Sequence, residues 1–287
     1  MLKTQFHNYP KGIDFQPILF DLLGDGIFNS DGDKWKFQRQ VSSHEFNTKS
    51  LRKFVETVVE TELSDRLIHI LSAAAADKTV LDLQDMLQRF AFVNICKTAF
   101  GYDPEYLSPS LPQAEFAKAF DDAVQTSAER FREPLLLSNM NDNFVRDIVI
   151  SFTLAGRDTT SAPLTWIFWL LFRNPEKNRM PVFEDIKDMV FTHASLCESM
   201  RFYPPVPLDG KLAKKDDVWP DGKEDGDHDK WIFVGRDPYT YPVFHAGARI
   251  CLGKEMASLQ MKRVVAAVLR RFKDVLRTKV AFRCRCS

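Results

Sequence analysis

Apolar residues recur at helical spacing along most of this chain. Between residues 51 and 71 they fall three or four positions apart, with Glu, Lys and Arg between them, and the pattern returns over 81–100, 115–132 and 184–201. A period of 3.6 residues places such side chains on one face of an amphipathic helix. The pattern therefore predicts a mainly α protein with few strands.

One predicted helix, residues 143–172, is apolar on nearly every side, which is typical of a buried central helix. It is interrupted by a polar cluster at residues 156–160, of sequence GRDTT. An acid beside an alcohol is costly in an apolar helix unless it serves a purpose. A threonine can also bend or open a helix by bonding to the carbonyl one turn back. These residues alone leave two interpretations open, a tolerated polar patch and a proton relay.

Composition narrows the class of protein. The 287 residues are 45% hydrophobic, enough for one large domain or two smaller ones, and 39 basic side chains balance 39 acidic ones. Zero net charge gives no reason to expect a nucleic-acid partner. Five scattered cysteines show no disulfide framework and indicate a reducing compartment. Cys284 and Cys286 are interpreted as part of a frayed terminus rather than a metal site.

The main chemical signal is the string FHAGARICLG at residues 244–253, which leads directly into an apolar-periodic helix. Cys251 lies between two glycines at the start of that helix, where backbone N–H groups and the helix dipole favour an anionic sulfur. The glycines allow the backbone to pass close to a flat or bulky group. A thiolate held this way can ligate haem iron. A cysteine outside such a string is more often an inert buried thiol.

Two pairs of residues with candidate roles also fall at helical spacing. Trp35 and Arg39 lie four apart, so they share a helix face and offer an indole N–H and a guanidinium to a propionate. An ordinary exposed arginine is the alternative. Glu198 and Arg201 lie three apart and form an ion pair, which at a surface is worth only a fraction of a kcal/mol.

In this order the motifs resemble those of the cytochrome P-450 superfamily, the haem-thiolate monooxygenases. The resemblance implies the cytochrome P-450 fold, a helical haem domain with a small β-sheet. It implies that Cys251 is the axial iron ligand and that Asp158 and Thr159 are the acid and alcohol of oxygen activation. The implied haem-binding residues are Trp35, Arg39, Phe244, Gly247, Arg249, Cys251 and Gly253, and Glu198 and Arg201 are an implied structural pair buried behind the haem loop.

Shorter blocks resemble the plant branch that includes fatty-acid ω-hydroxylases and jasmonoyl-amino-acid hydroxylases. They are Leu23–Asn29, Gln88–Phe92, Ile95–Asp103, Tyr241–Phe244 and Gly253–Met256. The resemblance implies hydroxylation of a long-chain fatty acid or an oxylipin with dioxygen. It also implies electrons from NADPH through NADPH-cytochrome reductase, and the cytosolic face of the endoplasmic reticulum membrane.

The chain is shorter than the roughly 450–500 residues usual in the superfamily. We interpret residues 1–287 as a single truncated haem-thiolate catalytic domain without the membrane anchor, with gaps near 131–143, 174–183 and 221–241. The last gap removes the arginine that completes the Glu198–Arg201 triad, and Ala248 replaces a proline. The truncation predicts a cytoplasmic or unstable, haem-deficient product. Two alternatives are a non-catalytic remnant that binds no haem or serves as an interaction fragment, and a haem-thiolate sensor or carrier without turnover.

Overall fold

The computed structural model describes residues 6–12, 15–46, 53, 55–112, 115–129, 144–174, 190–215 and 237–272. Eight α-helices lie in this part of the chain: α1 (Gln16–Leu23), α2 (Gly32–Glu45), α3 (Ile68–Asp77), α4 (Leu83–Ala99), α5 (Glu115–Glu129), α6 (Phe144–Arg173), α7 (Val190–Phe202) and α8 (Lys254–Phe272). Two π-helical stretches, Val55–Val59 and Glu62–Leu67, lead into α3. Single 3-10 turns form at Phe6–Asn8, Pro242–Phe244 and Gly247–Arg249.

The predicted mainly helical architecture is confirmed. The described residues include no β-strand, so the small sheet of the prediction is not seen in them. An extended pairing does form where the amides of Leu212 and Lys214 donate to the carbonyls of Pro10 and Asn8, both at 2.9 Å. The predicted gaps near 131–143, 174–183 and 221–241 fall largely outside the described residues, as do the two terminal cysteines. In the part that the structure covers, no helix is both long and apolar enough to cross a bilayer.

The core is built around α4 and α6, which α7 and α8 cover. Its side chains are completely or almost completely buried, and examples are Phe90 on α4, Leu164 and Phe168 on α6, Leu196 on α7 and Val264 on α8. Burying one large apolar side chain contributes about 1.5–3 kcal/mol. The apolar surface that α6 presents on several sides is therefore used by several helices at once, as the sequence predicts for a central helix.

The connection between α1 and α2 is held against α6 by a buried carboxylate. Asp147 is 2% exposed, and its Oδ2 accepts the backbone N–H of Asp25 at 2.8 Å. Gly24 ends α1 with φ +50°, and a Cβ atom there would lie 2.1 Å from Asp147 Oδ2. Both the backbone conformation and the close carboxylate require glycine at this position. This contact fixes where α2, which carries Trp35 and Arg39, begins.

Candidate active site

Cys251 lies on a short loop immediately before α8. Its backbone N–H donates to the Phe244 carbonyl at 2.8 Å, which closes the loop. Gly247 has φ +67°, a conformation that favours glycine, and begins a 3-10 turn inside the loop. A Cβ atom at Gly253 would make ordinary contacts with Phe46 at 3.6 Å and with the Cys251 sulfur at 3.9 Å. The string therefore forms a tight loop that presents one sulfur beside a helix start.

The environment of the Cys251 sulfur only partly agrees with the prediction. Burial raises the pKa of the thiol, although backbone N–H groups of Gly253 and Lys254 bond to the sulfur and the charge of Arg39 acts to lower the pKa. The donors expected at the helix start are present, but desolvation outweighs them. The N–H donors and the nearby arginine therefore act in the predicted direction, while the surrounding protein withdraws water from the thiol and raises its pKa on balance. A metal ion removes the proton of a coordinating thiol outright.

The Cys251 side chain is nevertheless exposed. A sulfur that nearby protein partly covers and that is still open at the surface suits a ligand that approaches from one side.

The cationic side chains predicted to bind propionates gather beside this loop. Arg39 donates to the carbonyl of Ile250, next to the cysteine. Arg249 donates from Nη2 to the Ser30 carbonyl at 2.8 Å and to Asp31 Oδ1 at 2.7 Å. Its guanidinium also lies 4.6 Å from the ring centre of Trp35, which is 7% exposed. The structure thus brings Trp35, Arg39 and Arg249 together from two distant parts of the chain.

Two lysines and a histidine at this place were missed by the sequence analysis. Lys211 Nζ lies 2.9 Å from Asp209 Oδ2, though not in hydrogen-bonding geometry, and its side chain is 5% exposed. Burial lowers the pKa of Lys211 to about 8. His245 Nε2 lies 2.9 Å from the same Asp209 oxygen, and Lys11 pairs with the other oxygen. No motif signals this cluster, because its members come from three separate segments.

The hydrogen-bond donors beside the Cys251 loop are suited to a haem. Arg249 Nε is buried without a hydrogen-bond acceptor in the described part of the chain, and Lys211 Nζ is in the same condition. Burial lowers the pKa of Arg39 and of Arg249, and the charge of Arg249 lowers that of Arg39 further. Asp31 and Asp209 offset part of this positive charge, and the unused N–H groups of Arg249 and Lys211 leave donors for a further anion. Two carboxylates of a haem beside a cysteine sulfur would supply that anion, so the residues fit the group.

The predicted acid and alcohol lie side by side on α6. Burial raises the pKa of Asp158 to about 6, against the lowering effect of Arg157, whose Nη1 is 3.1 Å from Asp158 Oδ1. Thr159 Oγ1 donates to the Ala155 carbonyl at 2.5 Å, as a threonine in a helix often does. The helix nevertheless stays unbroken from Phe144 to Arg173, so the opened turn considered from the sequence does not form. The turn stays closed although Pro163, inside the same helix, has no backbone N–H to donate to the Thr159 carbonyl; α4 packs against this part of α6.

Glu198 and Arg201 form the expected pair, with Arg201 Nη2 2.7 Å from Glu198 Oε1. Their side chains are 57% and 52% exposed, so the expectation that the pair is buried was wrong. The pair is at the end of α7, and Arg201 stacks on the exposed ring of Phe202, 4.1 Å away. In this position it resembles a surface ion pair of small energetic weight.

Comparison with known proteins places these observations in a family. A model of the family described as Cytochrome P-450 matches residues 2–140, 119–224 and 223–281. Cytochrome P-450 94A1 of Vicia sativa is 44% identical over 378 positions, which cover 96% of this chain and 74% of that protein. Cytochrome P-450 94B1 of Arabidopsis thaliana is 36% identical over 380 positions, with the same coverage of 96% and 74%. Both alignments are longer than the chain, so these relatives contain internal segments without a counterpart here.

Solved structures support the same fold. The cytochrome P-450 CYP102L1 superposes with a TM-score of 0.69 at 17% identity, covering 88% of this chain and 76% of that one. A 6-coordinated cytochrome P-450 from Thermus thermophilus has a TM-score of 0.61 at 24% identity, covering 94% and 81%. Identities this low carry the fold and nothing finer. With the family match over most of its length, the chain belongs to the cytochrome P-450 family of haem-thiolate monooxygenases.

Proposed function

We propose that this monooxygenase hydroxylates a long-chain fatty acid or a related oxylipin. Family membership makes the chain an oxidoreductase with a haem on a cysteine thiolate, a redox partner and a small-molecule substrate. The observation that carries the haem-thiolate part of the proposal is the tight loop that presents Cys251 immediately before α8, with Arg39 bonded to the adjacent Ile250 carbonyl. The lipid substrate rests on the resemblance of five short blocks to the plant fatty-acid hydroxylases.

Different side chains of the site would bind different parts of the haem. Cys251 would ligate the iron, while Arg39, Arg249 and Trp35 would bind the propionates, with Lys211 as a further cation. When bound, the haem supplies the activation of dioxygen, one atom of which enters a C–H bond while the other leaves as water. The negative charge of the bound propionates would also offset the mutual repulsion of the buried cations.

Asp158 and Thr159 would manage the protons that this reaction consumes. A carboxyl with a pKa of about 6 exchanges protons readily near neutral pH, and its side chain is 30% exposed, so solvent can reload it. In this structure the Thr159 hydroxyl donates a hydrogen bond to the Ala155 carbonyl. To serve bound oxygen, the hydroxyl would have to rotate away from that carbonyl.

We further propose NADPH-cytochrome reductase as the redox partner and the endoplasmic reticulum membrane as the location. Both follow from the resemblance to the plant branch. Reconstitution with this reductase should give product at a higher rate than reconstitution with a ferredoxin and its reductase. Equal or greater rates with the ferredoxin system would refute the assignment of the partner.

The decisive experiment is the carbon monoxide difference spectrum of the reduced protein, followed by a fatty-acid hydroxylation assay with NADPH and the reductase. A strongly red-shifted Soret band is expected, and Cys251→Ala should remove it. Cys197→Ala is the matched control, because it makes the same substitution at a partly buried cysteine of α7 and leaves the loop thiol in place. Loss of the band in both variants would contradict the ligand assignment.

A non-catalytic chain that binds no haem is the second candidate. Two observations favour it: the relatives carry internal segments that have no counterpart here, and the Glu198–Arg201 pair is exposed. The family model matches in separate pieces that meet near residues 119–140 and 223–224, which supports gaps in those regions. A flat carbon monoxide difference spectrum would favour this candidate over the enzyme.

A further inference from the structure

A buried arginine on α6 is shared between the proposed acid and a neighbouring helix. Arg157 is 3% exposed, and its Nη1 and Nη2 lie 2.6 and 3.1 Å from the two carboxylate oxygens of Asp121 on α5. The same Nη1 is 3.1 Å from Asp158 Oδ1. One guanidinium therefore serves two carboxylates, and it binds the α5 carboxylate with the two-point geometry that arginine favours.

The contact between Arg157 and α5 is more than a single ion pair. The guanidinium carbon lies 5.8 Å from the ring centre of Phe120, whose side chain is 3% exposed. Asp121 and Phe120 are adjacent on α5, so a displacement of that helix would remove a charge and an aromatic ring from Arg157 together. How the guanidinium is oriented toward Asp158 thus depends on where α5 lies.

Few charged groups act on Asp158 in the part of the chain that the structure describes. Burial is the largest influence on the pKa of Asp158; Arg157 lowers it and Asp121 raises it. From α4, Asp85 acts on Arg157, but it is itself paired with Arg89 at 2.8 Å. Apart from burial, the pKa of Asp158 is therefore set by one cation on its own helix and one anion on α5.

We propose that Arg157 and Asp121 are positioning residues that couple the place of α5 to the protonation of Asp158. With α5 docked, Asp121 holds the guanidinium, and Asp158 binds and releases its proton at a pH just below neutral. With α5 displaced, the guanidinium turns wholly to Asp158, which ionises and can no longer donate. The coupling rests on the proposed role of Asp158 as the acid of oxygen activation, and it would restrict proton delivery to the docked state.

The test is an infrared titration of the protonated Asp158 carboxyl, whose band is assigned by its loss in Asp158→Asn. Asp121→Asn should move the midpoint to lower pH by on the order of one unit, since a neighbouring anion is lost and Arg157 is freed. Asp122→Asn is the matched control, because it makes the same charge change at the next exposed position of α5. Asp121→Glu should restore the midpoint. Equal midpoints for the Asp121→Asn and Asp122→Asn variants would overturn the proposal.

A second readout separates this inference from the proposed function. Product formed per NADPH should fall off at lower pH in Asp121→Asn than in the parent protein, and Asp158→Asn should be uncoupled at every pH. If Asp158→Asn leaves the coupling unchanged, the proposed acid is wrong. If Asp158→Asn uncouples while Asp121→Asn keeps the parent midpoint, only the positioning role fails. Asp121 is 53% exposed on its side chain, so this variant tests the charge without opening the core.

Discussion

Replacing Gly156 with alanine should push apart the two helices at the centre of the fold. A Cβ atom at this position would lie 2.6, 2.7 and 2.8 Å from Cγ1, Cβ and Cδ1 of Ile95 on α4. All three distances are shorter than carbon atoms tolerate, and Ile95 is 4% exposed, so it cannot swing into solvent. Because one of the atoms is the Cβ of a branched residue, a rotamer change alone cannot relieve the contact.

The magnitudes decide the sign of the effect. Alanine in place of glycine inside a helix contributes about 1 kcal/mol to stability. Forcing a methyl group into a filled core costs about 1–3 kcal/mol. The clash should therefore win, and Gly156→Ala should lower the free energy of unfolding by up to about 2 kcal/mol. For a domain of this size, each kcal/mol lowers Tm by about 2–4 °C.

Urea unfolding followed by circular dichroism would measure this change, with Ile95→Ala used to complete a double-mutant cycle. Ile95→Ala alone should leave a cavity and cost about 2–5 kcal/mol. In the Gly156→Ala background that cost should be smaller, because the new methyl group fills part of the space. A Gly156→Ala protein as stable as the parent or more so, or strictly additive changes, would refute the packing argument.

Three other predictions concern the site. Cys251→Ala should abolish the thiolate signature in the carbon monoxide spectrum, and a retained signature would assign the ligand to another residue. Thr159→Ala should divert reducing equivalents to peroxide, whereas Thr165→Ala, which loses the same kind of helix hydrogen bond, should not; peroxide released per NADPH is the measurement. Although burial alone would raise the pKa of Asp209, His245 and Lys11 hold it well below its usual range. The ionised Asp209 carboxylate therefore stabilises the fold at pH values above its unfolded pKa, and this contribution is lost as pH falls through the lower pKa of the folded state. Asp209→Asn should lower the free energy of unfolding by about 1–3 kcal/mol at neutral pH. In a plot of Tm against pH, the variant should lose less Tm than the parent protein on the acid side.

The sequence was sufficient for the features that depend on local spacing. The apolar run around Leu164 predicts a buried central helix, which α6 is, and Trp35 and Arg39 do share a helix, α2. The cysteine string predicts a tight loop before a helix, and Cys251 bonds to the start of α8 as expected. Each of these follows from a period or a turn requirement that lies within a few residues.

Features that depend on distant segments could not be predicted. Arg249 is paired with Asp31, 218 residues away, and Asp209 contacts two lysines and a histidine from three segments. No periodicity links such positions. The exposure of the Glu198–Arg201 pair escaped prediction for the same reason, since burial depends on what packs over a helix end and not on the spacing of the two charges.

The two acids of the site show how one physical effect can serve two purposes. Burial raises the pKa of both Cys251 and Asp158. At Cys251 the cost of burying a thiolate would be offset by the proposed bond to haem iron, because the two backbone N–H groups and the charge of Arg39 reduce it only in part. At Asp158 no metal is needed. Burial and the charge of Asp121 raise the pKa of the carboxyl and the charge of Arg157 lowers it, so the pKa stays near the pH at which protons are exchanged. Removing a charge should therefore matter more at Asp158 than at Cys251, where the proposed metal bond would dominate, and the positioning role of Asp121 depends on that difference.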